Sequence, residues 1–143
     1  MLEFGYCLWL SPETDSELYT FFTDFSPHIS LAIKEDYNSC LLKYKLIDKQ
    51  SFLIKILEDP IITVDEDFNA LQFNVELVNK NLSLPLNPQN PHISFVYRYN
   101  HSITKEEVLK IKNQINFDKV YIFDKYKLMC CNGHFKDWYV VNN

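Results

Sequence analysis

The chain has 143 residues, 47% of them hydrophobic and 15% aromatic, which is enough to build one domain over 1–143. Two glycines and no low-complexity tract leave no visible linker, and a net charge of −5 excludes broad, charge-driven binding to long nucleic acids while leaving a small phosphorylated ligand open. Met1-Leu2-Glu3-Phe4 has no basic region, no window reaches the roughly twenty apolar residues that span a bilayer, and four scattered cysteines, two of them adjacent, make no disulfide framework. A cytoplasmic protein with reduced thiols and no membrane partner is expected.

Gly5 to Leu10 is an apolar run that predicts a strand buried on both faces. Thr14 and Glu17 then make a capping-box pattern, and Leu18, Phe21, Phe22 and Phe25 fall on one helical face that ends near Ser26-Pro27. A strand follows from His28, and a weaker helical pattern runs through Cys40, Leu41, Leu42 and Leu46. Phe52 to Leu57 and Ile61 to Val64 predict two strands about a turn at Asp59-Pro60. In the next segment Leu71, Phe73, Val75 and Leu77 alternate with the mainly polar Ala70, Gln72, Asn74 and Glu76, as in a half-exposed antiparallel strand.

Asn79 to Asn90, with Pro85 and Pro88, reads as a loop delivering the chain to a strand at His92. Thr104 and Glu107 repeat the capping box before Val108, Ile111 and Ile115, and Asn132-Gly133 marks a hairpin between Lys119–Cys131 and His134–Val141. Each half therefore runs strand, helix and further strands.

The chemistry lies in a segment that occurs twice, Pro27-His28-Ile29-Ser30-Leu31-Ala32-Ile33-Lys34 and Pro91-His92-Ile93-Ser94-Phe95-Val96-Tyr97-Arg98. In a regular strand His28, Ser30, Ala32 and Lys34 share one face, as do His92, Ser94, Val96 and Arg98, so an imidazole, a hydroxyl and a cation are presented in order. The same alternation turns Tyr97 and Tyr99 away from His92. A lone His-x-Ser is most simply a core histidine with a hydrogen-bond partner. The repeat overturns that: His101 and His134 are followed two positions later by Ile103 and Lys136, and only His28 and His92 by a serine.

Two such strands about an approximate two-fold axis would aim both imidazoles at one phosphorus, one neutral to take a proton and one protonated to give it, while the serines hold the non-bridging oxygens. Cys130, Cys131 and His134 make no metal site, because neighbouring strand residues point to opposite faces and Asn132-Gly133 explains the cluster as a hairpin tip. Asp65-Glu66-Asp67 reads as a solvated turn.

The paired His-x-Ser strands resemble the 2H phosphoesterase superfamily, which is defined by two His-x-(Ser/Thr) motifs. Leu8-Trp9-Leu10-Ser11-Pro12-Glu13, Pro91 to Tyr97 and Trp138-Tyr139-Val140-Val141 are similar to its cyclic phosphodiesterase branch, so the resemblance covers nearly the whole chain. It implies a bilobed α+β fold, with two pseudo-symmetric antiparallel β-sheet lobes and outer helices around a central cleft, and no metal or cofactor. It further implies His28 and His92 as the catalytic pair, Ser30 and Ser94 as phosphate ligands, and Tyr97 as an aromatic lining the cleft; the residues themselves add Lys34 and Arg98 as cations to steer the phosphate, with Trp9 as a further candidate substrate contact.

The expected activity is hydrolysis of a 2′,3′-cyclic phosphate, on a nucleotide or an RNA end, to a phosphomonoester. The enzyme would act as a monomer on a small nucleotide or oligonucleotide, with no obligate protein partner. The alternatives are cleavage of a 2′-5′ oligoadenylate or a cyclic oligonucleotide by the same chemistry, and a catalytically silent nucleotide- or RNA-binding module.

Overall fold

A computed structural model describes residues 3–21, 25–65, 68–79, 81–99 and 101–141. Strands β1 (Glu3–Pro12) and β2 (Ile29–Glu35) lead into helix α1 (Tyr37–Leu46) and strand β3 (Phe52–Val64). The same order then recurs as β4 (Asn69–Leu77), β5 (His92–Arg98), α2 (Lys105–Gln114) and β6 (Val120–Asn132), and a short β7 (Tyr139–Val140) follows. All seven strands form one sheet in the order β1-β2-β5-β4-β3-β6-β7, and β6 also pairs with β1, so the first six close into an antiparallel barrel.

The two-lobed α+β expectation is thereby corrected. The described residues are 46% strand with only two α-helices, and one closed six-stranded barrel replaces two separate sheets. Physically, the two three-stranded arcs β6-β1-β2 and β5-β4-β3 would each leave two open sheet edges if they stood alone. β2 meets β5 through Ile29 opposite Ile93, and Phe52–Lys55 of β3 meets Val120–Phe123 of β6, so both seams are sealed. The duplication survives inside the barrel. Exchanging β1-β2-α1-β3 with β4-β5-α2-β6 maps the strand order onto itself, about an axis through the Ile29–Ile93 pair.

Both faces of the ring are built from strand alternation. Leu8, Leu10, Ile29, Phe73, Ile93 and Phe123 pack into the main core together with Cys40 of α1 and the half-buried Val108 and Ile111 of α2. On the opposite face of β1, Cys7 and Trp9 cluster with Met129 and Cys131, which is why this strand shows an unbroken apolar run. The Asp36 carboxylate accepts the Ser39 N–H at 2.8 Å to open α1, a cap worth about 1 kcal/mol. At α2 the predicted Thr104–Glu107 capping box forms in both directions.

Three expectations need local correction. The helix expected over residues 14–25 shortens to a 3-10 turn, Glu17–Phe21, in which the Ser16 hydroxyl accepts the Leu18 N–H; Phe22 lies outside the described residues. Thr and Phe are weak helix formers, and ring contacts decide the segment: Phe21 packs 6.0 Å from Phe95 and Phe25 5.0 Å from Tyr97. The turn expected at Asp59-Pro60 is a bulge inside one continuous β3, where the ladder passes from Ile56–Val75 to Pro60–Phe73. Proline lacks an N–H to give, and a bulge tolerates that. Beyond Asn132-Gly133 the return is wider than a tight hairpin: a 3-10 turn, Phe135–Asp137, intervenes before Tyr139 pairs with Cys130. Among the described residues no helix is long and apolar enough to cross a membrane.

Candidate active site

A cleft of about 230 Å³ lies on the face of the ring opposite the main core, and every one of the six strands of the ring supplies a lining residue. His28, Ser30, His92 and Ser94 all line it, together with Trp9 and Tyr97. The Ile29–Ile93 pair explains how four distant polar residues meet. Both isoleucines face the core, so the residues on either side of each face the cleft. In an antiparallel pairing of that register His28 runs across from Ser94, and His92 across from Ser30.

The two imidazoles are tied in the same way. Nδ1 of His28 lies 2.8 Å from the Ser26 carbonyl, and Nδ1 of His92 lies 2.9 Å from the Asn90 carbonyl. A carbonyl can only accept, so each Nδ1 carries a hydrogen and each Nε2 is left for chemistry. The surroundings differ, however. His28 is only 5% exposed and lies flat on Trp9, with ring centroids 3.4 Å apart and an interplanar angle of 2°, whereas His92 is half-buried. In the second half the position of Trp9 is taken by Gln72: Trp9 stands opposite Ser30 and Gln72 opposite Ser94. Burial pushes the His28 imidazole down from 6.5 to about 3, opposed by its hydrogen bond to Ser26 and reinforced by the charges of His92 and Lys127.

Past each serine the strand alternation slips by one residue, at equivalent places in the two halves. Opposite Leu8 and Trp9, β2 spans Ser30 to Ala32; opposite Leu71 and Gln72, β5 spans Ser94 to Val96. Leu31 and Phe95 are therefore bulge residues. Leu31 and Ala32 both turn to the core, as do Phe95 and Val96, so the following residues, Ile33 and Tyr97, face the cleft. The expectation that Tyr97 points away from His92 is reversed. Ala32 and Val96, expected on the histidine face, belong to the core.

Lys34 and Arg98, expected beside the histidines, are carried off the cleft by the same bulges. Lys34 is exposed, at a φ of +56°, and is not among the cleft residues. Arg98 reaches α2, where its guanidinium pairs with the Glu107 carboxylate of the capping box.

Several further cleft residues, Phe4, Thr63, Phe68, Gln72 and Trp138 among them, lie outside the repeated segment and gather around Tyr97 and Ser94. Phe4, Phe68, Tyr97 and Trp138 form a circuit in which neighbouring ring centroids lie 5.8, 5.7, 5.8 and 5.7 Å apart, each pair edge-on. The Gln72 Oε1 accepts the Thr63 hydroxyl at 3.0 Å on the rim beside Ser94. Burial holds the Tyr97 phenol up at about 12, with the Ser94 side chain beside it acting in the opposite sense, so it stays a neutral donor. The Cys7 and Cys131 thiols also line the cleft, and all four cysteines are free. Among the described residues no group of three or more His, Cys, Asp or Glu is placed to hold a metal ion.

No family model, curated protein or solved structure matches the chain, so the site itself carries the functional argument.

Proposed function

We propose that this chain is a phosphodiesterase of the 2H type, which hydrolyses a 2′,3′-cyclic phosphate on a nucleotide or RNA end to a phosphomonoester, acting as a cytoplasmic monomer. The observation that carries the reading is the two-fold crossing of His28 and Ser94 with His92 and Ser30 over one cleft. Such a set flanks a tetrahedral phosphorus from two sides with an imidazole and leaves a hydroxyl for each non-bridging oxygen. The aromatic circuit of Phe4, Phe68, Tyr97 and Trp138 next to it offers rings of the size and polarity on which a nucleobase stacks.

The inequality of the two histidines supports one assignment of roles. His28, desolvated and held neutral, takes the proton of the attacking water at Nε2 as the water oxygen bonds to phosphorus. The phosphorus–oxygen bond to one ribose oxygen breaks, and His92, open to solvent from which it can be recharged, gives that oxygen a proton. On this reading the ring kept neutral is the base and the solvent-facing ring the acid.

The test is turnover of a panel of 2′,3′-cyclic nucleotides and 2′-5′ oligoadenylates in EDTA by the native chain, His28→Ala and His92→Ala. Cleavage confined to the cyclic nucleotides, and reduced roughly 10² to 10⁴-fold in each variant, supports the proposal. Preference for the 2′-5′ linkage moves the substrate to the alternative class. Binding of nucleotides without cleavage, unaffected by both substitutions, rejects the enzymatic reading in favour of a silent binding module.

A further inference from the structure

The cleft face does not end at Trp9. β1 and β6 are in register with Trp9 opposite Lys127 and Ser11 opposite Lys125, so both lysines share the face on which Trp9 meets His28. They border a second, separate groove of about 510 Å³, lined also by Lys49, Tyr19, Tyr126 and Thr14. Three of the chain's 14 basic residues converge there, in a protein with a net charge of −5. The groove's one lining carboxylate is Asp124, whose Oδ1 stands 3.9 Å from Lys125 Nζ.

Lys127 is the distinctive member. It is half-buried and has no carboxylate partner among the described residues, and its Nζ stands 5.9 Å from the centroid of the Tyr19 ring. A partly desolvated ammonium without a counter-ion is costly, and an anionic ligand relieves that cost. Its field reaches the catalytic centre, because it acts on the His28 imidazole across the Trp9 stack. Tyr19 and Tyr126 give the groove aromatic walls as well, and Lys49, though it donates to the Tyr44 carbonyl, lies at its exposed margin.

We propose that this groove is a subsite for a second phosphate, so that the substrate is an oligonucleotide end carrying at least one phosphodiester beyond the scissile group, and that Lys127 is the side chain that binds it. The proposal rests on the phosphodiesterase reading for its substrate, while the anion site stands or falls separately.

The experiment compares KM for a mononucleotide 2′,3′-cyclic phosphate with KM for a dinucleotide bearing the same cyclic end, in the native chain, Lys127→Met and Lys127→Arg. In parallel, calorimetry measures binding of inorganic tripolyphosphate to the same three proteins. The native chain is expected to favour the dinucleotide through KM, Lys127→Met to reduce that preference about tenfold, and Lys127→Arg to keep most of it. Tripolyphosphate binding should weaken in parallel and fall with added salt. Equal KM values for the two substrates in the native chain, or a Lys127→Met effect that is the same on both, would overturn the proposal. If neither substrate is cleaved yet Lys127→Met weakens tripolyphosphate binding about tenfold, the anion site stands and the phosphodiesterase reading falls. If tripolyphosphate binds all three proteins alike, the subsite is refuted.

Discussion

The His28 imidazole lies flat on the Trp9 indole, 3.4 Å between centroids and 2° from parallel, while Trp9 stands across the strand from Ser30, two residues beyond that histidine. A single indole thus covers one of the two cleft imidazoles and pairs with the strand that carries Ser30. Its counterpart, Gln72, stands across from Ser94 in the second half and accepts the Thr63 hydroxyl at 3.0 Å. The two otherwise repeated motifs differ at that position.

Trp9→Leu should therefore release His28. Without the indole the ring gains solvent, and its pKa should climb from about 3 towards 6.5, which a pH titration of the His28 ring protons by NMR will follow. Trp9→Phe keeps part of the stack and should fall between. A His28 pKa that stays put in Trp9→Leu would mean that the burial comes from elsewhere, Phe25 being the other ring beside it, at 6.1 Å.

The same burial makes folding sensitive to acid. An unfolded chain takes up the His28 proton near 6.5 and the folded chain near 3, so between those values the unfolded state holds more protons. Stability is consequently full above 6.5 and is lost as the pH falls, by about 1.4 kcal/mol for each pH unit once well below 6.5. Urea titrations at several pH values should show a shallower decline for His28→Ala than for the native chain. Parallel curves would contradict the burial argument.

The bulges predict which basic residues are dispensable. Arg98→Ala removes an ion pair with Glu107 that is 42% and 28% exposed on its two sides, so it should cost at most about 1 kcal/mol and change turnover less than about twofold. Lys34→Ala should be similarly mild. Tyr97→Ala, which opens the aromatic circuit inside the cleft, should raise KM about tenfold or more. Steady-state kinetics on one cyclic nucleotide decide the order, and an Arg98→Ala defect as large as that of Tyr97→Ala would put the guanidinium back at the phosphate.

What the sequence carried was local. The strand of Leu71, Phe73 and Val75, the Thr104–Glu107 cap and the His-x-Ser repeat are patterns within a dozen residues, and short-range rules suffice for them. The cleft's remaining residues are set by pairing between strands far apart in the chain. Trp9 meets Lys127 only because β6 closes onto β1, and no periodicity announces that registration. Bulges defeat the alternation rule in the same way: the hydrophobic pattern of Leu31-Ala32-Ile33 is equally compatible with an unbroken strand, and only the partner's register shows the extra residue. Comparing the two halves would have pointed to Gln72, since Cys7-Leu8-Trp9-Leu10 and Ala70-Leu71-Gln72-Phe73 occupy equivalent places.

The central claim is that His28 and His92 act as one device on one phosphorus. Turnover of a 2′,3′-cyclic nucleotide by His28→Ala, His92→Ala and the double variant tests it directly. If one imidazole takes the proton while the other gives it, each single loss should cost roughly 10² to 10⁴-fold, and the double loss far less than the product of the two. Single variants within about tenfold of the native rate would contradict the account, and so would fully multiplicative losses.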